Sequence, residues 1–225
     1  MGGTGFPAPG GGSDERQLLI LGTTDFSAQV AASAADAGFD VAGFVENLSP
    51  ERCRSTHVDL PVYWIDEVER LAARHVAVCG LGTTRRSTFV EQAVARGLRF
   101  TTVVHPTASV SATSTLGEGS YVGPRAVVAA HARVGRHVIV LAGSLIGHDT
   151  EIGDYASILM GANVAGSCRI GEATYIASGA VVIDHVTIGS RSVVGAGAVV
   201  VADVPDRVQV LGVPARIVKE GIDGR

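Results

Sequence analysis

The feature of this chain that leaves the fewest ways to fold is a six-residue repeat that runs without interruption from Val110 to Val200. Stepping by six, the sequence reads Val110, Leu116, Val122, Val128, Val134, Val140, Ile146, Ile152, Ile158, Val164, Ile170, Ile176, Val182, Ile188, Val194 and Val200, all sixteen aliphatic. Four residues beyond each of them stands Ser, Ala, Thr, Cys or Val without exception, and the residue directly after is Gly in eight of the sixteen hexads. A helix of about 3.6 residues per turn would carry such a position around its surface instead of holding it on one face. A parallel β-solenoid accommodates it. Each hexad forms one flat side, with one aliphatic and one small side chain turned inward and a corner where Gly relieves the backbone. A β-sandwich with glycine-rich turns would need hairpin signals and strands of varied length.

Composition agrees with such a turn-rich, small-residue core: the 225 residues include 29 Gly and only 5% aromatics. A net charge of −4 favours neither nucleic acid nor an anionic membrane as partner. Lys219 is the single lysine, and the three cysteines, Cys53, Cys79 and Cys168, show no metal-ligand spacing. Reduced thiols in the cytoplasm are the simplest account. Residues 1–16 (MGGTGFPAPGGGSDER) lack the basic start and apolar stretch of a signal peptide and read as a disordered leader. Glycines and polar residues interrupt every valine-rich run, so no segment of about 18 apolar residues is present to span a membrane.

Residues 17–105 follow a different period. Strands are expected at 17–21 (QLLIL), 41–45, 76–79 and 99–104, and helices at 26–37, 66–74 and 87–96, with Gly38 and Gly97 as stops. Strands separated by helices predict parallel pairing in a small Rossmann-like domain, which binds ligands at the C-terminal strand ends. The expected organisation is therefore a leader at 1–16, an α/β acceptor-binding domain at 17–105, a β-solenoid at 106–205 and a tail at 206–225.

The hexads resemble the hexapeptide-repeat family, whose left-handed parallel β-helix closes a triangular coil with three hexads. Sixteen hexads then give about five coils. Residues eighteen apart stack in adjacent coils at about 4.8 Å. His148 and Gly166 are such a pair, both two places after an aliphatic position and thus at a corner. An imidazole there suits a general base, since free imidazole titrates near about pH 6.5. A glycine N–H beside it suits an oxyanion donor. Asp149 follows directly and is placed to orient the ring and balance its charge. By position alone each of the three also reads as an ordinary solvated corner residue. His131, His137 and His185 read as surface side chains.

The segments at 105–110 (HPTASV), 146–153 (IGHDTEIG), 161–171 (GANVAGSCRIG) and 212–218 (GVPARIV) resemble the nucleotide-sugar N-acetyltransferases of the bacillosamine and perosamine type, and the related sialic-acid O-acetyltransferases. The resemblance spans nearly all of the chain after residue 16. It implies an acetyl-coenzyme A-dependent homotrimer without a metal that acetylates an amino, or less commonly a hydroxyl, group of a sugar, with a nucleotide-linked amino sugar as the expected acceptor. It places the base at His148, its acidic support at Asp149 and the thioester carbonyl donor at Gly166. Cofactor contacts fall on Gly161, Ala162, Ser178, Gly179, Ala180, Gly212, Val213, Pro214 and Ala215. Acceptor contacts fall on Gly22, Thr23, Thr24, Glu46, Asn47 and Gly80.

The acceptor half departs from the family pattern. Where relatives carry a phosphate-cradling GxGGH turn, this chain has Leu21-Gly22-Thr23-Thr24-Asp25, with one glycine and an acid that repels phosphate. Glu46-Asn47 stands for an acidic pair, Gly80-Leu81-Gly82 for Gly-Asp-Asn, and Leu141-Ala142 for Asn-Thr. A different nucleotide-sugar, or an acceptor without a nucleotide, is thus open. Two other classes bear on the same residues. A zinc enzyme of the γ-carbonic anhydrase type needs a close His pair about five residues apart and a distant third, which His131, His137 and His148 do not supply. A non-catalytic β-helix scaffold would tolerate the same corner residues.

Overall fold

The structure, a computed structural model, describes residues 17–225, so the leader expected at residues 1–16 lies outside the described residues. The N-terminal domain is a five-stranded parallel sheet: β1 (Gln17–Leu21), β2 (Val41–Glu46), β3 (Val62–Trp64), β4 (His75–Cys79) and β5 (Arg99–Phe100), in the order β3-β2-β1-β4-β5. The run Leu18-Leu19-Ile20-Leu21 is wholly buried because β1 is central and covered on both faces. Leu18 and Ile20 pack under helix α1 (Asp25–Asp36), while Leu19 and Leu21 pack under α3 (Ser87–Ala95).

Three expectations change here. The short strand β3 had no sequence signal strong enough to separate it from its loop. The helix expected at 66–74 is a 3₁₀ turn, Ile65–Glu67, followed by a single α turn, α2 (Val68–Leu71). Glu67 Oε2 caps Trp64 N at 2.9 Å, and His75, the first residue of β4, already bonds Leu71 O at 2.8 Å, which leaves no length for more helix. The strand expected at 99–104 belongs to two sheets: β5 ends at Phe100, and Val103–Val104 is the first rung of the β-helix, paired with Tyr121–Val122. Thr101 N still reaches Ala77 O at 2.9 Å, and Thr102 Oγ1 already reaches Gly117 O at 3.0 Å, so the chain passes between domains without a linker.

The hexads form two-residue rungs on three parallel faces. The first face runs through Tyr121–Val122, Ile139–Val140, Ser157–Ile158, Tyr175–Ile176 and Val193–Val194. The second runs through Val127–Val128, Leu145–Ile146, Asn163–Val164, Val181–Val182 and Val199–Val200, and the third through Arg133–Val134, Glu151–Ile152, Arg169–Ile170 and Thr187–Ile188. Each rung pairs with the one eighteen residues on, as in Leu145↔Asn163↔Val181. The aliphatic repeat positions and their small partners, such as Ile158 with Ala162, make one continuous buried column. The hairpin Val208–Leu211 and Arg216–Glu220 closes the first face at its far end.

The N-terminal domain rests on the first face. Tyr121 donates its hydroxyl to Ser33 Oγ at 2.8 Å, with Phe26 edge-on to its ring. Arg86 is 1% exposed and inserts into the coil corner, donating to the carbonyls of His137 (2.7 Å), Tyr155 (2.9 Å) and Ala156 (2.8 Å) and to Ser157 Oγ (2.9 Å). Burial pushes its pKa down to about 10, so it stays charged at neutral pH. His137, expected at the surface, is instead buried between Phe100 and Tyr155, at ring distances of 4.8 and 5.1 Å. Burial, with help from Arg86 and Arg136, pushes its pKa down to about 4, so it is neutral at physiological pH. His131 and His185 are exposed as expected.

The inward register makes a sharp distinction between neighbours on one rung. Ile152 is 3% exposed and Glu151 faces outward beside Arg133. Ile152→Asp should cost about 4 kcal/mol or more, since it leaves a cavity and an unpaired buried carboxyl, whereas Glu151→Ala should stay within about 0.5 kcal/mol. Denaturant unfolding of both variants checks this, and equal stabilities would show the register to be wrong.

Candidate active site

His148 stands on the edge where the second and third faces meet, between the rungs Leu145–Ile146 and Glu151–Ile152. Adjacent side chains normally diverge, but Asp149 has a φ of 56°, and this left-handed turn brings its carboxylate back to the ring. Asp149 Oδ2 lies 2.8 Å from His148 Nδ1. A carboxylate only accepts, so Nδ1 carries the proton and Nε2 presents a lone pair. The imidazole points along the helix axis onto the next coil. A Cβ built on Gly166 would lie 2.6 Å from Nε2 and 2.7 Å from Cε1, so only glycine leaves space for the ring there. Among the described residues the Gly166 N–H has no hydrogen-bond partner. A lone pair and a free backbone donor thus sit side by side, the pairing an acyl transfer requires.

The residues assigned to the cofactor lie on another edge, where the first and second faces meet. Gly161 and Gly179 have φ of 66° and 68° and stack with Gly143 and Gly197, with no atom within 4 Å of any added Cβ. The result is an open strip of bare backbone beside Ser178. Ala162 and Ala180 are fully buried, and their N–H groups bond Leu159 O and Ala177 O, so they back the strip from the core side. Gly212 to Ala215 form the turn of the closing hairpin. Val199 N bonds Gly212 O at 3.0 Å, Ala215 N bonds Val199 O at 2.8 Å, and the Val213 side chain projects 72% exposed, with Pro214 next to it. These edges bound the second face on either side. One chain therefore does not bring His148 and the glycine strip together.

Gly22, Thr23, Thr24, Glu46, Asn47 and Gly80 do come together, at the C-terminal ends of β1, β2 and β4. Thr23 Oγ1 donates to Glu46 Oε2 at 2.5 Å, and Arg52, which the sequence pattern did not single out, donates to both at 3.2 and 3.1 Å. Asn47 Nδ2 bonds Gln92 Oε1 at 2.9 Å. Burial raises the Glu46 pKa, but hydrogen bonds from Thr23, Leu48 N, Arg52 and Asn47 N outweigh it and hold the carboxyl below the ordinary range. Among the described residues no group of three or more His, Cys, Asp or Glu is placed to hold a metal, and no helix is long and apolar enough to cross a membrane.

A hexad β-helix preceded by a small α/β domain is the architecture of the hexapeptide-repeat transferases to which the chain is similar. The family model "Bacterial transferase hexapeptide (six repeats)" matches residues 113–148, 149–183 and 167–202. The acetyltransferase domain of PglB from Neisseria gonorrhoeae, in complex with acetyl coenzyme A, is 31% identical, with 90% of this chain and 99% of that chain covered and a TM-score of 0.84. PerB from Caulobacter crescentus, in complex with CoA and GDP-perosamine, is 29% identical over 90% of this chain and 97% of that one, also at 0.84. WeeI from Acinetobacter baumannii, at 24% identity and a TM-score of 0.83, shares the fold. No curated protein sequence matches the chain. The chain belongs to the bacterial hexapeptide transferase family, alongside the sugar N-acetyltransferases of the PglB and perosamine type.

Gly166→Ala tests the corner directly. The methyl group would displace an exposed ring that is free to swing into solvent. Melting temperature should hardly move, while acetyl transfer falls about tenfold or more. Free-thiol release and thermal melting of the same preparation measure the two, and unchanged turnover would remove Gly166 from the site.

Proposed function

We propose that the protein transfers the acetyl group of acetyl-coenzyme A to the amino group of a sugar, in the cytoplasm, as a homotrimer with sites shared between neighbouring copies. The observation that carries this reading is the His148 ring, bonded to Asp149 through Nδ1 and turned onto bare Gly166 through Nε2. In the reaction His148 Nε2 takes the proton from the acceptor nitrogen as that nitrogen attacks the thioester carbonyl. Asp149 stabilises the imidazolium that forms. The Gly166 N–H donates to the carbonyl oxygen as it gains charge. Collapse of the tetrahedral adduct breaks the C–S bond and returns the proton to the departing thiolate. The amide product, the free thiol and the neutral imidazole balance the step.

The shared site follows from the two edges of the second face. Its outward row, Ser109, Val127, Leu145, Asn163, Val181 and Val199, is apolar apart from Ser109 and Asn163, with Leu145 36% exposed. The third face instead presents Arg133, Glu151 and Arg169. Copies that associate along the second face bring the His148 edge of one towards the glycine strip of the next, and a closed threefold ring satisfies every such contact. The proposed cofactor strip, with Gly161, Gly179 and the turn Gly212 to Ala215, then faces a neighbour's His148. Gly22, Thr23, Thr24, Glu46, Asn47 and Gly80 remain the candidate acceptor crest.

Two measurements test the reading. Sedimentation velocity should give a trimer, and a monomer at assay concentration would sink the shared site. His148→Ala should lower acetyl transfer by about 10²–10⁴-fold while acetyl-coenzyme A still binds, because backbone groups line the strip. If the loss vanishes at high pH, where the acceptor amine is already neutral, His148 is the base. A loss constant with pH would make it a positioning residue.

A further inference from the structure

We propose that Arg225 sets acceptor specificity: its guanidinium, laid over Tyr175 in the cavity between the N-terminal domain and the β-helix, takes the diphosphate of a nucleotide-linked sugar. The proposal rests on the acetyl-transfer reading for the reaction but not for the binding. The cavity measures about 480 Å³ and reaches the C-terminal ends of β1 and β4 through Asp25, Gly82 and Thr83. An α/β sheet of this kind receives nucleotides at those strand ends. Phe26, Leu141, Leu159 and Met160 make an apolar wall. Of the residues that line the cavity, only Asp25 and Arg225 carry charge.

The groups that would otherwise meet a phosphate at these strand ends are committed. Ser27 N bonds Thr24 Oγ1 at 3.3 Å and Thr24 N bonds Ser27 Oγ at 3.2 Å, so the chain itself caps the start of α1. The Asp25 carboxylate stands in the first turn and repels an anion there. Arg52 is held by Glu46 at 3.1 Å. Arg225 differs. Among the described residues its guanidinium makes no hydrogen bond and no ion pair, and its Cζ lies 4.9 Å from the centre of the Tyr175 ring. A guanidinium stacked on a ring keeps its in-plane N–H fork free, and that fork matches two phosphate oxygens.

The main chain of Arg225 is fixed well enough to aim the fork. Arg225 N bonds Thr84 Oγ1 at 2.9 Å, Thr84 N bonds Arg225 O at 2.7 Å, and Thr83 Oγ1 donates to the same carbonyl. Gly224 has a φ of 64°, and an added Cβ would collide with Thr84 Oγ1, so glycine is what permits the close approach. Asp223 accepts from Arg191 Nη1 at 2.9 Å, which ties the segment to the β-helix. Position connects the cavity to the chemistry, because Leu159 and Met160 line it and the next residue, Gly161, belongs to the backbone strip proposed for the cofactor. A diphosphate held at Arg225 leaves the apolar wall for the sugar ring.

Calorimetry on the intact protein with ADP, CDP, GDP, UDP and dTDP, each against its own nucleoside, tests this without knowledge of the natural acceptor. At least one diphosphate should bind below about 1 mM and more tightly than its nucleoside. Arg225→Gln should weaken that diphosphate about tenfold or more and leave the nucleoside unchanged, with Arg225→Lys in between. Asp25→Asn should tighten the diphosphate about threefold, because it removes the opposing charge from the cavity. Acetyl-coenzyme A, which carries phosphates of its own, should bind Arg225→Gln as it binds the unaltered protein. No diphosphate binding, an unchanged diphosphate affinity in Arg225→Gln, an equal loss of nucleoside and diphosphate, weaker binding in Asp25→Asn, or a loss confined to acetyl-coenzyme A would each overturn the assignment. If acetyl-coenzyme A fails to bind the unaltered protein while the nucleotide results hold, the acetyl-transfer reading falls and the Arg225 site stands.

Discussion

Everything else in this protein depends on the vertical register of the coils. Each inward aliphatic residue, with its small partner four places on, fixes one side of a triangle, and the strand spacing of about 4.8 Å fixes the next coil above it. Inward positions such as Ile146, Val164, Val182 and Ile188 are fully buried, and neighbouring rungs pair eighteen residues apart. The His148–Gly166 contact is therefore inherited from the scaffold. A single inserted residue between them would turn the ring away from the glycine, whatever the identities of both.

A second interaction sets the N-terminal domain against this scaffold. Burying a guanidinium is costly unless nearly all its donors are satisfied. Arg86 meets that condition with main-chain carbonyls at the coil corner, Thr83 O and Ser157 Oγ. Carbonyls at a solenoid corner are rigid acceptors, so the contact fixes the orientation of α3 as well as its proximity. Tyr121 and Phe26 do the same for α1 through aromatic packing and one buried hydroxyl pair. A cavity lined by Asp25, Phe26 and Thr83 of the N-terminal domain and by Leu141, Leu159 and Tyr175 of the β-helix takes its shape from both, with Arg225 over the Tyr175 ring.

The solenoid was legible because its signal repeats sixteen times and each repeat has the same physical cause. His148 and Gly166 were legible for the same reason, since coil stacking converts sequence separation into distance. Their contact with Asp149 was not derivable from spacing, because it needs the left-handed φ at that residue. The N-terminal domain was read in outline only. Its strands carry one copy of each signal, so β3 was missed and one expected strand proved to serve two sheets. His137 was misread because the groups that bury it, Phe100 and Tyr155, come from different parts of the chain. Arg86 and Arg52 gave no local sign, since long-range partners alone distinguish them from surface arginines.

In an isolated chain the corner proposed for catalysis is open to water. The side chains of His148 and Asp149 are 66% and 56% exposed, so water screens the attraction between carboxylate and imidazolium despite their 2.8 Å contact. Gly166 is itself partly exposed, so under the proposed reaction water competes with its N–H for the carbonyl oxygen. Both effects strengthen only when something dry covers the edge. The N-terminal domain of the same chain cannot do this, because it rests on the first face and the His148 edge lies opposite. The second face is bounded by this edge and by the glycine strip, so its association with another copy would exclude water from both at once. Register places His148 beside Gly166, and assembly is what would make the proposed base and donor strong enough to matter.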